Sequence, residues 1–452
     1  MDNPMPDHPL PPDRAPEPAP LPPVEPPSAL FILQLFVVPG LLVAVIVAVI
    51  VLFFGWVGGG PQTPEQFLQG LRSPSGMKRG KTAQDLAQVL PRSPELRGHM
   101  PFALDLADLL ADEIQKPPTV ADPTSPEPYL LEYYLPSAAA SFQAPVALPL
   151  LGQMVLGSRD RAGSDEAHRQ RLRNAVFALA LMGSRVQEFD ALPTEQQERI
   201  LNDLEEATRA ADPRRAERAR QALEHLRSRL RHREGTTEAP LPATLVSALE
   251  AAASAPDEIT RKFAIIACAN WEGVETERLL VQLTRSQDDI PDTGFETADR
   301  PFRPEDRVRG MREIRHNAAL ALARRGSDRT PWDLVRETLD EQHLARELYP
   351  DNPGMAVSWV LKALKDLDHC KRHRPSAFEA QIEVVADVKR LALESPTVAI
   401  RVEAQKLLDG TPEAVEVRSR TSRELLLIVG VGLSVLLLLG LAVFARWRRA
   451  AS

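Results

Sequence analysis

The sequence predicts an all-α protein, an α-solenoid of stacked helical hairpins flanked by two transmembrane helices. Three observations carry this. Two apolar runs without a charged residue lie near the chain ends, at 29–56 and 425–445. Between them, segments rich in Ala, Leu, Arg and Glu alternate with prolines, the composition of short helices separated by turns. One Ala/Leu-rich segment also recurs at a nearly constant interval.

The apolar runs come first. A helix crossing the hydrocarbon layer needs about 20 apolar residues, and 29–56 exceeds that. The leader before it holds Asp2, Asp7, Asp13, Glu17 and Glu25 against Arg14 alone. A signal peptide has a basic start and a shorter apolar core, so the run reads as a retained anchor. The second run stops at Arg446-Trp447-Arg448-Arg449, a boundary of interfacial aromatic and cationic residues. Two spans place both termini on one side. Arg72, Lys78, Arg79 and Lys81 after the first run, with Arg418, Arg420 and Arg423 before the second, favour a cytoplasmic central domain in a two-pass inner-membrane protein. The arginines at 446–449 pull the other way.

The body follows in order. Residues 1–28 are Pro-rich and acidic, an expected disordered tail. After Gly58-Gly59-Gly60, Thr63-Pro64-Glu65-Gln66 has the pattern of a helix start, with Thr63 and Gln66 forming a capping box. Helices are expected over 81–90 and 102–114, then a break at 115–128.

The repeat begins with Arg171-Leu-Arg-Asn-Ala-Val-Phe-Ala-Leu-Ala-Leu-Met-Gly183, basic at its start and closing on glycine. Ile314-Arg-His-Asn-Ala-Ala-Leu-Ala-Leu-Ala-Arg-Arg-Gly326 has nearly the same layout. Weaker copies start at Arg218, Arg261, Trp359 and Ile400. Their centres are spaced by about 44, 44, 55, 42 and 43 residues, and the long step contains a polar insertion at 287–303. Partner helices are expected at 148–156, 195–210, 244–253, 275–284, 331–339 and 378–393. A lone hairpin cannot bury its apolar stripe, so hairpins stack in series. The Asn or Arg early in each inner helix is expected to satisfy backbone groups at the helix start.

The stretch 317–326 resembles the second helix of a HEAT-like (armadillo-type) repeat, and the whole layout is similar to bacterial membrane proteins that carry such repeats. Asp212-Pro213 is the one good match to the usual Asp-Pro turn of that family, which is otherwise largely missing. The resemblance implies protein–protein interaction and transfers no catalytic residue. The expected organisation is a tail at 1–28, a transmembrane helix at 29–56, a linker with a first short helix at 57–77 and HEAT-like repeats at 78–410. A linker at 411–424, a transmembrane helix at 425–445 and a basic tail at 446–452 complete it.

Chemistry-bearing residues are few. A net charge of −8 argues against a general nucleic-acid binder. The two cysteines, Cys268 and Cys370, form no disulfide framework, and Cys268 reads as a small buried hydrophobe. His369, Cys370 and His373 resemble part of a metal site, yet a structural zinc wants about four ligands, and a basic helix end complementing the helix dipole is the plainer reading. Arg214 to Arg233 holds eight arginines; an anionic surface or nucleic acid is one reading, a solvated face or an acidic protein partner the plainer one. Pairs Glu217–Gln221 and Glu224–Ser228 or Glu224–Arg227 are expected there. Asp288, Asp289 and Asp292 read as an acidic loop.

No catalytic, cofactor-binding or metal-ligating residue is assigned, and no cofactor. The expected function is a membrane-anchored scaffold whose solenoid presents a concave face to an unidentified protein partner. The other class is an enzyme or metal-dependent module centred on His369, Cys370 and His373.

Overall fold

The computed structural model describes residues 37, 41–43, 45–47, 63–119, 127–233, 240–285 and 304–409. The chain divides into two compact units, Met1–Gln62 and Thr63–Ser452. In the first, the seven described residues are helical and exposed.

In the second unit every regular element among the described residues is a helix. α1 (Pro64–Leu71) starts as the sequence predicts: Thr63 accepts from the Gln66 amide, and Gln66 accepts in return from the Thr63 amide at 3.3 Å. α2 (Gly76–Val89), a 3₁₀ turn (Leu90–Arg92), the single turn α3 (Pro94–Arg97) and α4 (Met100–Ile114) follow. Then come α5 (Glu127–Ala139), α6 (Leu148–Arg159), α7 (Glu166–Asp190), α8 (Thr194–Ala207) and α9 (Pro213–Arg233). α10 (Ala243–Ala253), α11 (Glu258–Asn270), α12 (Val274–Arg285) and α13 (Pro304–Arg324) come next. The chain continues through α14 (Trp332–Thr338), α15 (Glu341–Glu347), α16 (Pro353–His373), α17 (Pro375–Glu379), α18 (Ile382–Glu394) and α19 (Val398–Asp409).

One row of helices organises the unit. α5 packs on α7, α7 on α11, α11 on α13, α13 on α16 and α16 on α19. Alanines make this possible: Ala175 and Ala178 on α7, Ala264 and Ala267 on α11, Ala318 and Ala321 on α13 are all buried. Small side chains let neighbouring helices approach closely, so each helix hides its stripe against the next. Two apolar cores meet on α13. Its Ile314, Ala318 and Leu322 join the core that begins at Phe67, while Ala319, Leu320 and Ala323 join the one that ends at Leu407.

The packing corrects several expectations. α5, the first helix of the row, has no counterpart among the expected helices: the break expected at 115–128 ends where it begins, and it carries Pro136 within it. The copy starting at Arg218 is not a member of the row. It lies in α9, which packs chiefly on α8, while α7 packs directly on α11. The equal spacing in sequence is therefore not an equal spacing in the stack. The two glycines that close the best copies also differ. Gly326 has a φ of +62° and ends α13 in a Schellman motif, with Ser327 N–H donating to Leu322 O at 3.1 Å and Gly326 N–H to Ala323 O at 2.9 Å. Gly183 terminates nothing, because α7 runs on to Asp190.

The flanking transmembrane helices and the two-pass inner-membrane location are also corrected. No helix among the described residues is long and apolar enough to cross a membrane. α7 with 25 residues and α9, α13 and α16 with 21 each have the length, but all four carry many charged residues. Segment 425–445 lies outside the described residues, as does all of 29–56 except the seven named above. With no such helix among the described residues, the flanking charges assign no side to the central domain. The tail at 1–28, the linker at 411–424, the tail at 446–452 and the insertion at 287–303 also lie outside the described residues.

Candidate protein-binding face

The helix row carries large apolar side chains that are exposed. On α7, Phe177 is 40% exposed, and on α11, Ile266 is 44% exposed. Phe263, one helical turn before Ile266, is half-buried and meets the Phe177 ring at a centroid distance of 5.3 Å. The two helices thus present one continuous apolar strip. α5 has an exposed Tyr133 of its own, packed edge-on against Tyr134 at 4.8 Å. The local cause is helical phase. On α7 the residues Val176, Ala178 and Leu179 turn inward, so Phe177 is left facing out.

Charged residues lock this face from beneath by crossing between neighbouring helices. Arg171 on α7 donates to Glu132 on α5 at 2.6 Å. It also donates to Lys116 O at 2.9 Å, beyond the end of α4. Arg173, on the adjoining side of α7, donates to Asp257 at 2.9 Å. Asp257 is fully buried and caps α11, accepting from the Thr260 amide at 2.9 Å. Lys262 on α11 lies between Glu258 and Glu313, the latter on α13. Burial depresses the pKa of this ammonium, but the Glu313 and Glu258 carboxylates outweigh it and the net shift is upward. Farther along the row, Arg324 on α13 stands 3.7 Å from Asp366 on α16.

The role expected for the early Arg and Asn residues is therefore corrected. Arg171 and Arg173 join helices to one another, and Asn174 donates to Glu132 O on α5 at 3.4 Å. Asn317, in the equivalent position, donates to Glu313 O of its own helix at 2.8 Å. A guanidinium has only donors, so it cannot satisfy the N–H groups of a helix start.

Three arginines of the Arg-rich helix, Arg215, Arg218 and Arg229, are engaged by carboxylates of other helices. Arg215 binds Asp105, at 2.6 Å, and Asp108 of α4, and Arg218 also binds Asp108. Arg229 donates to Asp190 at the end of α7, and Arg227 to Glu205 of α8 at 2.5 Å. Glu217 accepts from Gln221 at 2.9 Å, as expected, but Arg227 bypasses Glu224. Arg215, Arg218 and Arg229 dock the α8–α9 hairpin on α4 and α7, a use that depends on carboxylates far away in sequence, whereas Arg227 ties α9 to α8 within it.

The three residues considered as metal ligands do not converge. The rings of His369 and His373 stack at 4.1 Å, while Cys370 is buried in the core. His373 Nδ1 lies 2.9 Å from His369 O. Burial, followed by the nearby Arg324, lowers the His369 pKa to about 4. Among the described residues no three His, Cys, Asp or Glu side chains are grouped to hold a metal ion. Asp288, Asp289 and Asp292 lie outside the described residues.

No family model matches this chain, and no curated protein does. Among solved structures it is similar to two crystal structures of engineered proteins. One shares 14% identity with a TM-score of 0.23, over 77% of this chain and 96% of the other. The second shares 14% identity with a TM-score of 0.22, over 76% of this chain and 88% of the other. At such scores no common fold follows. The helical-repeat character rests on the packing of this chain's own helices.

Proposed function

We propose that this chain is a helical-repeat scaffold that binds another protein along the exposed side of the α5–α7–α11 row. The strip formed by Phe177, Phe263 and Ile266 carries the reading. Aromatic side chains left half-exposed over a rigid base are the groups on which protein partners anchor, because they bury a large area at little entropic cost. The cross-helix ion pairs hold that base in one geometry, so little ordering remains for association to supply.

The test is affinity capture with the full chain, comparing it with the double variant Phe177→Asp/Ile266→Asp. Both side chains are already exposed, so the variant should keep its helical circular dichroism and its melting temperature. Partners retained by the unaltered chain should disappear with the variant. Identical capture by both proteins would reject this face as the binding site.

A further inference from the structure

A small cleft of about 160 Å³ opens where α4, α6 and α7 meet. Ile114 and Met154 line it with apolar groups, and Ser158, His168 and Arg171 line it with polar ones. These three residues are 2%, 9% and 8% exposed. Buried polar atoms are normally hydrogen-bonded, yet each of the three keeps one that is not. Ser141 and Ser254 return their hydroxyls to carbonyls four residues earlier, at 2.8 and 2.9 Å. Ser158 does not, and its Oγ makes no hydrogen bond among the described residues. Arg171 commits Nε to Glu132 and Nη1 to Ile114 O and Lys116 O, which leaves Nη2. His168 Nδ1 lies 2.6 Å from Asp165 Oδ2, which leaves Nε2.

The neighbours fix what these atoms can do. A guanidinium N–H only donates. The hydrogen bond from His168 lowers the Asp165 pKa, and an ionised carboxylate only accepts. Nδ1 therefore carries the proton, and Nε2 of the neutral ring is an acceptor. An occupant must offer an acceptor to Arg171 and a donor to His168 at once, while the Ser158 hydroxyl serves either. Glu132 already balances Arg171 and Asp165 adds a negative charge, so an anionic occupant is disfavoured. We propose that the cleft binds a small neutral amide, whose carbonyl accepts from Arg171 and Ser158 and whose N–H donates to His168. The volume equals that of about five waters, room for a primary amide with a short carbon chain against Ile114 and Met154. This site is separate from the strip on α7 and α11, and its test does not depend on that reading.

The test is a saturation-transfer NMR titration of the full chain with three probes of similar size. Propionamide supplies both the carbonyl and the N–H donor, and it should bind. Propionate lacks the donor and carries a charge, and N,N-dimethylacetamide lacks the donor alone. Each should bind about tenfold more weakly or worse, because His168 is left unpaired. Ser158→Ala removes a hydroxyl that holds nothing in the fold, so the melting temperature should stay unchanged. The same variant should weaken propionamide binding about fivefold, the worth of one neutral hydrogen bond. The proposal is overturned if propionamide shows no saturation transfer, which would mean that water alone fills the cleft. It is equally overturned if propionate binds as tightly as propionamide, or if Ser158→Ala leaves propionamide binding unchanged.

Discussion

Trp271 occupies the space that a side chain at Gly183 would need. A methyl group on Gly183 would lie 2.9 Å from Cδ1 and from Nε1 of the indole, and 2.9 Å from Cβ of Asn270. The indole donates to Leu179 O at 2.8 Å, and Asn270 donates to Ala180 O at 2.8 Å. α7 and α11 therefore meet through backbone carbonyls, at a distance only glycine permits. Trp271 is fully buried and also faces His225 of α9, with ring centroids 5.4 Å apart. It is the side chain on which the row and the α8–α9 hairpin come together.

Gly183→Ala forces atoms apart at that contact and should destabilise the protein by about 1–3 kcal/mol, the usual cost of overpacking. Gly157, on α6, has nothing within 4 Å of its added methyl group. Gly157→Ala should instead stabilise by about 0.5–1 kcal/mol through reduced backbone freedom in the unfolded chain. Urea unfolding of both variants measures the contrast. The same sign for both would refute the assigned role of Gly183.

Asp257→Ala should cost about 3–5 kcal/mol, because it takes from the buried Arg173 its hydrogen-bonded carboxylate, leaving only Glu166 at 3.8 Å, and takes from α11 its cap. Arg173 has little reserve, since its Nη2 is buried and unpartnered. The double variant Arg173→Met/Asp257→Ala removes the stranded charge and should recover part of the loss. A double-mutant cycle with coupling below about 0.5 kcal/mol would show that the pair does not join α7 to α11.

Burial, reinforced by Arg229, lowers the His225 pKa from its ordinary 6.5 to about 4. Between those values the unfolded chain holds a proton that the folded chain excludes, so stability rises with pH across this window and falls on acidification. From pH 7 to pH 5 the contribution of this imidazole should fall by about 2 kcal/mol. His225→Phe removes the ionisable group, and the difference in unfolding free energy between variant and parent should change by that amount over the same interval. A pH-independent difference would mean that the imidazole titrates normally.

Both thiols should be silent in the native state. Burial raises the Cys268 pKa to about 12 and pushes the Cys370 pKa upward as well, so little thiolate forms and reagents have no access. At pH 8 a thiol reagent should label neither cysteine within minutes, and both after denaturation. Rapid labelling of Cys370 in native protein would show that α16 opens locally.

What can be read from the sequence depends on the range of the interaction. The cap at Thr63 and Gln66, the apolar periodicity of most helices and the left-handed glycine at 326 involve residues three to five apart, so the pattern is visible in a short window. α5 is hidden from such a window because proline is a local signal of interruption, whereas Pro136 sits inside a helix that is held by packing on α2 and α7. At the candidate face, Phe177, Phe263 and Ile266 are visible as members of Ala-rich helices. Their exposure is not, because helical phase relative to a neighbour is known only once the neighbour is placed.

By itself, then, the sequence determined that the described body is helical and where most of its helices begin and end, since those choices are set by backbone geometry and nearby side chains. Tertiary structure alone decided which helices are neighbours. α7 skips the intervening hairpin to reach α11, and Arg215 and Arg218 find Asp105 and Asp108 more than a hundred positions earlier. Two look-alike segments also received glycines with opposite duties, one to end a helix and one to admit an indole. Contacts of that span arise when apolar surface is buried against whatever shape fits it, and a regular spacing along the chain does not encode that choice.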